Sequence, residues 1–322
     1  MALAMVRGVN PREWWTLLRG AAKGWVDDAA PSMGAALAFY TLFSLAPLLI
    51  ITVAVAGFFI GEGEAEGLLM QQMTQLMGDG ATGAIAKVMH AANERGSGVI
   101  AAIFGLAALL LGATTVFTEL QRDLDIIWRS PRTKAKNVWT LVLSRLLSFG
   151  IVLAIGFLLL VSLVVSTAIS AVSDVLFEGS RVLAQGGEFA TSFLVITLLF
   201  AAIYKLLPSR HIRWGDVWVG AAVTSLLFNI GKILIGLYLS RATVGSPYGA
   251  AGTLVVLILW IYYSAQIFFF GAEFTREYAL SHGSHRDEGT VEALSAANDE
   301  GNILARARAI VRGSDTIFGS GK

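Results

Sequence analysis

Cysteine is absent from the 322 residues. That excludes disulfides, zinc–thiolate centres, iron–sulfur clusters and cysteine nucleophiles, and it leaves the redox compartment undetermined. Charge is scarce: 15% of the residues are Asp, Glu, Lys or Arg, where a soluble domain carries about a quarter. The net charge of +1 provides no bulk positive field to hold a nucleic acid, so none is expected as a partner. The four histidines are scattered as His90, His211, His282 and His285, without a zinc-protease, paired-carboxylate or Ser/His/Asp pattern and without a phosphate-binding P-loop. The expectation is a protein with no catalytic constellation, no metal and no cofactor. A cleavable signal peptide is not expected either. The first 28 residues hold Arg7, Arg12, Arg19 and Lys23 and no long apolar run, so the first spanning helix serves as an uncleaved signal-anchor.

What the chain has in excess is apolar surface. Hydrophobic residues make up 55% of it and the mean hydropathy is +0.67. Several runs reach the roughly 20 residues that cross a bilayer core. The fold class expected is an all-α membrane protein with six transmembrane helices, preceded by an interfacial amphipathic helix. Spans are expected over about 34–59, 98–118, 146–172, 189–207, 217–239 and 250–272. The organisation is a cytoplasmic N-terminus with the interfacial helix over 1–28, a six-span domain over 29–280, and a polar cytoplasmic tail over 281–322. In the interfacial helix, Trp14, Trp15, Leu18 and Trp25 recur at helical spacing among Arg12, Arg19 and Lys23. Residues 61–97 read as a mixed loop holding one or two short amphipathic helices. Gly98, Gly105 and Gly112 recur every seven residues, a small-residue stripe of the kind on which membrane helices pack closely.

Basic residues set the orientation. The loop over 121–145 carries Arg122, Arg129, Arg132, Lys134, Lys136 and Arg145, and the N-terminus, the 205–214 turn and the tail are basic as well. The opposite side has only Lys87, Arg95, Arg181 and Arg241. Both termini are therefore expected in the cytoplasm, with an even number of spans.

Lys232 is the exception, a charge inside the fifth span. It sits about seven residues from the outer end, roughly 10 Å deep at 1.5 Å per residue. A buried charge of this kind costs about 2.5–3.5 kcal/mol or more and ordinarily faces the bundle interior. Ser225, Asn229, Lys232 and Gly236 are spaced to share one face. Two readings stand side by side: a polar cavity whose ammonium meets an anionic headgroup, phosphate or solute, and a structural ammonium satisfied by a carbonyl or a carboxylate. Pro47, with Ser44 and Thr52, marks a kink or a break in the first span that would expose backbone to a substrate. The segment GSPYGAAG, with Pro247, Tyr248 and Gly249, reads as an outer gate, a partner contact or a tight turn. Glu119, Asp123, Asp125, Glu273, Arg276 and Glu277 fall at cytoplasmic helix ends, either as a gate network or as ordinary surface pairs.

Four stretches carry a family resemblance: DDAAPSMGAALAFYTLFSLAPLLI at 27–50, FTELQRDLDIIW at 117–128, LLPSRHIRWGDVWVGA at 206–221, and residues 227–279, beginning LFNIGKILIGLYLSRATVGSPYG. Together the chain over about 11–280 resembles the YihY/BrkB family of bacterial inner-membrane proteins. One departure is Asp125, where the pattern has asparagine, which puts the polar contact made there in question. The resemblance implies a six-span helical protein of the inner (plasma) membrane, with associations to serum resistance and envelope lipid handling and an old ribonuclease label on some members. The expectation drawn from both sources is a transporter or lipid-handling component of the bacterial envelope. Membrane lipids, phospholipid among them, are the expected ligands and an envelope lipid-transfer protein the expected partner. The alternative is a non-transporting membrane scaffold that recruits envelope or cytoplasmic partners. Substrate, direction, energy coupling and oligomeric state are not legible.

Overall fold

The computed structural model describes residues 10–77, 79–93, 112, 115–130, 181–241 and 251–288. Among the described residues every regular element is helical: α1 (Pro11–Asp27), α2 (Ala30–Ile60), α3 (Glu62–Met77), α4 (Asp79–Asn93), α5 (Arg181–Leu206), α6 (Trp214–Arg241) and α7 (Ala251–Ser281). Residues 115–127 add a helical segment between α4 and α5. Most of the expected second span, the whole third span, the 245–249 turn with Pro247, Tyr248 and Gly249, and the tail beyond residue 288 lie outside the described residues.

α7 is the hub, packed against α6, α2, α1 and α4, while α5 lies along α6. Among the described residues two helices are long and apolar enough to cross a membrane, Trp214–Tyr238 and Leu254–Ser281. Ala30–Leu45 and Phe193–Leu206 are shorter apolar stretches. The main core joins Met33 and Leu37 of α2, Leu124 and Ile127, Phe200 and Tyr204 of α5, Val217 of α6, and Phe268 and Phe269 of α7. The segment after α2 forms two helices, as its composition suggests. Ile85 and Met89 of α4 bury against Leu49 of α2 and Leu257 of α7.

Three sequence expectations gain detail. Of the kink or break expected at Pro47, a break is not seen: α2 runs helical across Pro47. The missing N–H of a proline removes one rung, and the rest of the 31-residue helix holds the turn together. α1 is docked on protein: Leu17 and Ala21 are buried against Val219, Phe274 and Tyr278, and Trp14 stacks on Phe274 at 5.8 Å. Of its tryptophans, Trp15 is the one turned outward, 68% exposed. The expected start of the tail also belongs to the bundle, because residues 282–288 fold back against the start of α6.

Small residues permit the close approaches. A Cβ on Gly220 of α6 would strike the side chain of Thr275, and one on Gly271 of α7 would strike Thr224 and Tyr204. Each helix thus presents Gly and Thr four residues apart, and each Thr covers the other helix's Gly. Their hydroxyls donate to carbonyls of their own helix, Thr224 to Gly220 (2.7 Å) and Thr275 to Gly271 (2.6 Å). On α1, Gly20 and Gly24 meet Glu277 and Glu273 of α7 in the same four-residue step. At the one described position of the Gly98–Gly105–Gly112 stripe, Ser44 of α2 presses on Gly112.

Candidate functional site

The inward face of α6 holds the residues singled out from sequence. Ser225 and Asn229 are buried, and Lys232 is half-buried on the same face. Leu226, Ile230, Ile233, Leu234 and Leu237 on the opposite face are exposed. The Ser225 hydroxyl donates to the Phe193 carbonyl of α5 at 3.0 Å, and the Asn229 amide donates to the Ser225 carbonyl at 2.9 Å. These two side chains are therefore spent on backbone acceptors, which suits groups that a dry environment would penalise if left unpaired. Lys232 is the charged member of the face. Ser44 is buried and donates to the Thr41 carbonyl at 3.0 Å. It serves helix packing, and no described contact joins it to the α6 face.

A second polar assembly lies where α1, residues 115–130, the α5–α6 turn and the end of α7 meet. Residues 125–130 close their helix with a Schellman turn: Ser130 N–H to the Asp125 carbonyl (2.9 Å) and Arg129 N–H to the Ile126 carbonyl (3.0 Å). Arg129 takes the left-handed position ordinarily given to glycine (φ 49°), and Ala29, at the α1–α2 junction, does the same (φ 55°). Each costs about 1–2 kcal/mol. The two junctions are tied together by an Arg129–Asp28 ion pair at 2.6 Å. The carboxyl of Glu273, fully buried, faces that of Asp28, with Arg129 and Arg276 as the neighbouring cations. Glu119 instead pairs with Arg122 at 3.4 Å, one turn along its own helix. No described contact joins Glu119 to Glu273.

Asp125 accepts from Ser209 twice, from the backbone N–H at 2.8 Å and from the hydroxyl at 2.7 Å. The acid at this position thus clamps the α5–α6 turn to the 115–130 segment. Asp123, outside the spans, is buried with one carboxyl oxygen lacking a partner. Burial, reinforced by the nearby Glu119 carboxylate and opposed by Arg122, pushes its pKa up to about 7. At the start of α6, buried Asp216 accepts from the Ser284 N–H (3.1 Å) and hydroxyl (2.6 Å), and Ser284 Oγ lies 2.9 Å from His285 Nδ1. Gly283 lets the Asp216 carboxylate in, since a Cβ there would collide with it. The sequence reading had assigned Arg129 and Arg210 to topology and His285 to the tail. The charge rule explained the arginines fully at that level, and nothing in the spacing joined three distant segments. Among the described residues no group of three or more His, Asp or Glu is placed to hold a metal ion.

Apolar side chains turned outward and polar ones turned inward or gathered at one end are the marks of a helical membrane protein. Comparison with known proteins identifies the family: the Virulence factor BrkB family matches residues 21–294, and the chain belongs to it. Curated relatives bear the name UPF0761 membrane protein. One from Rhodospirillum centenum is 28% identical over 278 residues, covering 85% of this chain and 57% of the relative. One from Halorhodospira halophila is 31% identical over 254 residues, covering 78% and 54%. One from Verminephrobacter eiseniae is 26% identical over 274 residues, covering 84% and 64%. The chain thus spans a little over half the length of the first two relatives. No solved structure matches.

Proposed function

We propose that this chain is a multi-pass protein of the bacterial inner membrane, six-spanned with both termini in the cytoplasm, that transports or otherwise handles a lipid of the envelope. The observation that carries this reading is the division of α6. Leu226, Ile230, Ile233 and Leu237 face outward, while Lys232 stands with Ser225 and Asn229 on the bundle side. A cation kept inside a membrane helix is costly and is ordinarily retained for an anionic partner or a path. An anionic lipid headgroup supplies the charge that Lys232 matches. An envelope lipid-transfer protein is the partner this activity calls for.

Mass spectrometry of lipids retained by the purified protein tests the reading, with Lys232→Ala alongside. The wild-type protein is expected to hold anionic phospholipid above its share of the membrane, and the variant to lose that enrichment. Identical, membrane-like lipid profiles for the two proteins would overturn it.

A further inference from the structure

A pocket of about 220 Å³ opens at the basic end of the bundle, lined by Trp128, Arg129, Arg210, Arg276, Leu280, His285 and Glu288. We propose that this pocket binds a phosphate-bearing anion, and that Glu288 of the same chain occupies the anion's place until the ligand displaces it. The proposal does not depend on Lys232, which lies on α6 and outside this pocket.

Three guanidinium groups converge here from three segments. Each is held within the fold: Arg129 by Asp28 at 2.6 Å and the Ile126 carbonyl at 3.3 Å, Arg210 by the Trp128 carbonyl at 3.0 Å and by Glu288, and Arg276 by Glu277 at 3.5 Å. A guanidinium has five N–H donors in a rigid fork, and those of Arg210 that meet Glu288 pass to the ligand when Glu288 leaves. That fork matches the oxygens of a phosphate. The volume is several times the roughly 30 Å³ that a water molecule takes up in the liquid.

Glu288 is the only acid in the lining, and its carboxylate is seated on Arg210. Its side chain is 53% exposed, and it lies on the short segment 282–288 that follows α7. An anion is therefore already accommodated at this point, supplied by an exposed residue on a short segment. Two further groups suit a ligand with more oxygens than a carboxylate. The indole N–H of Trp128 is buried without an acceptor. Ser284 gives its hydroxyl proton to Asp216, so its oxygen accepts from His285 Nδ1–H. That contact fixes the imidazole, whose Nε2 is an acceptor in the neutral ring and meets a protonated phosphate oxygen. Trp128 and Leu280 supply apolar walls, compatible with a phosphate carried either on a lipid headgroup or in solution.

The test uses the full chain in phosphatidylcholine nanodiscs, with inorganic phosphate titrated in one arm and phosphatidylglycerol incorporated in the other. Wild type, Glu288→Gln and Arg210→Gln are compared by thermal midpoint and by retained lipid in native mass spectrometry. Saturable binding of one probe is expected, severalfold tighter in Glu288→Gln and about tenfold weaker in Arg210→Gln. A response to phosphatidylglycerol alone assigns the ligand as a headgroup, and a response to phosphate alone assigns it as a soluble anion. Saturation by neither probe, or equal binding by wild type and Glu288→Gln, would overturn the proposal. Glu288→Gln keeps the test decisive even if Arg210→Gln loosens the α5–α6 turn.

Discussion

Thr275 of α7 stands directly over Gly220 of α6, so close that a β-carbon on the glycine would overlap its side chain. Thr224 and Gly271 repeat the contact in reverse one turn away. Helices in lipid gain little from burying apolar surface against each other, and close backbone packing has to supply the association.

Gly220→Ala is expected to destabilise the bundle by about 1–3 kcal/mol, the usual penalty for overpacking. The obstructing atoms include the Thr275 Cβ, which is fixed to its helix and cannot swing aside. Gly220→Ala combined with Thr275→Gly, which removes that Cβ, is expected to recover part of the loss. Thermal unfolding in detergent reads both. A single variant as stable as wild type would mean that the helices are not packed this tightly.

Asp123 gives the fold a pH dependence of defined sign. Its carboxyl titrates near 7 in the folded protein and near 3.8 in an unfolded chain. Between those values the folded state holds the extra proton, so the contribution to stability is full at low pH and is lost as pH rises through about 7. Asp123→Asn removes the buried charge. Its thermal midpoint, relative to wild type, is expected to be higher at pH 8 than at pH 5, and a difference that does not change with pH would contradict the assignment.

Asp125 clamps Ser209 through two hydrogen bonds. Asp125→Ala is expected to cost about 0.5–1.5 kcal/mol, the net worth of a hydrogen bond whose exposed partner Ser209 can turn to water. Asp125→Asn is expected to cost less, because the amide oxygen can accept from the backbone while its N–H donates to the hydroxyl. Proteolysis of the 207–213 turn compares the two. Equal sensitivity of alanine, asparagine and wild-type proteins would show that the clamp contributes nothing.

The elements legible from sequence were those set by composition over a long window. The apolar runs mark α2, α6 and α7, the alternating polarity of residues 62–93 marks α3 and α4, and the spacing of Ser225 and Asn229 gives the buried face of α6. The bundle-end assembly was not legible. Arg129, Arg210, Arg276 and His285 come from separate segments, and only the packing of α7 against its neighbours brings them to one pocket. Nor could the spacing of Gly20 and Gly24 reveal that they face Glu277 and Glu273, because the partner of a small residue is a tertiary fact. At Pro47 the local rule allowed a kink or a break, and only the packed helix decides that the hydrogen-bonded turns continue through it.

The central claim is that the bundle crosses the inner membrane with its basic end in the cytoplasm. The absence of native cysteine makes that directly measurable, since any introduced thiol is the only one. Gln71→Cys, on the exposed side of α3, and His211→Cys, on the exposed α5–α6 turn, place single labels at the two ends. With a membrane-impermeant maleimide on intact spheroplasts, the account predicts labelling at position 71 and none at position 211 until the membrane is lysed. Labelling at 211 in intact spheroplasts, or protection of 71, would contradict it.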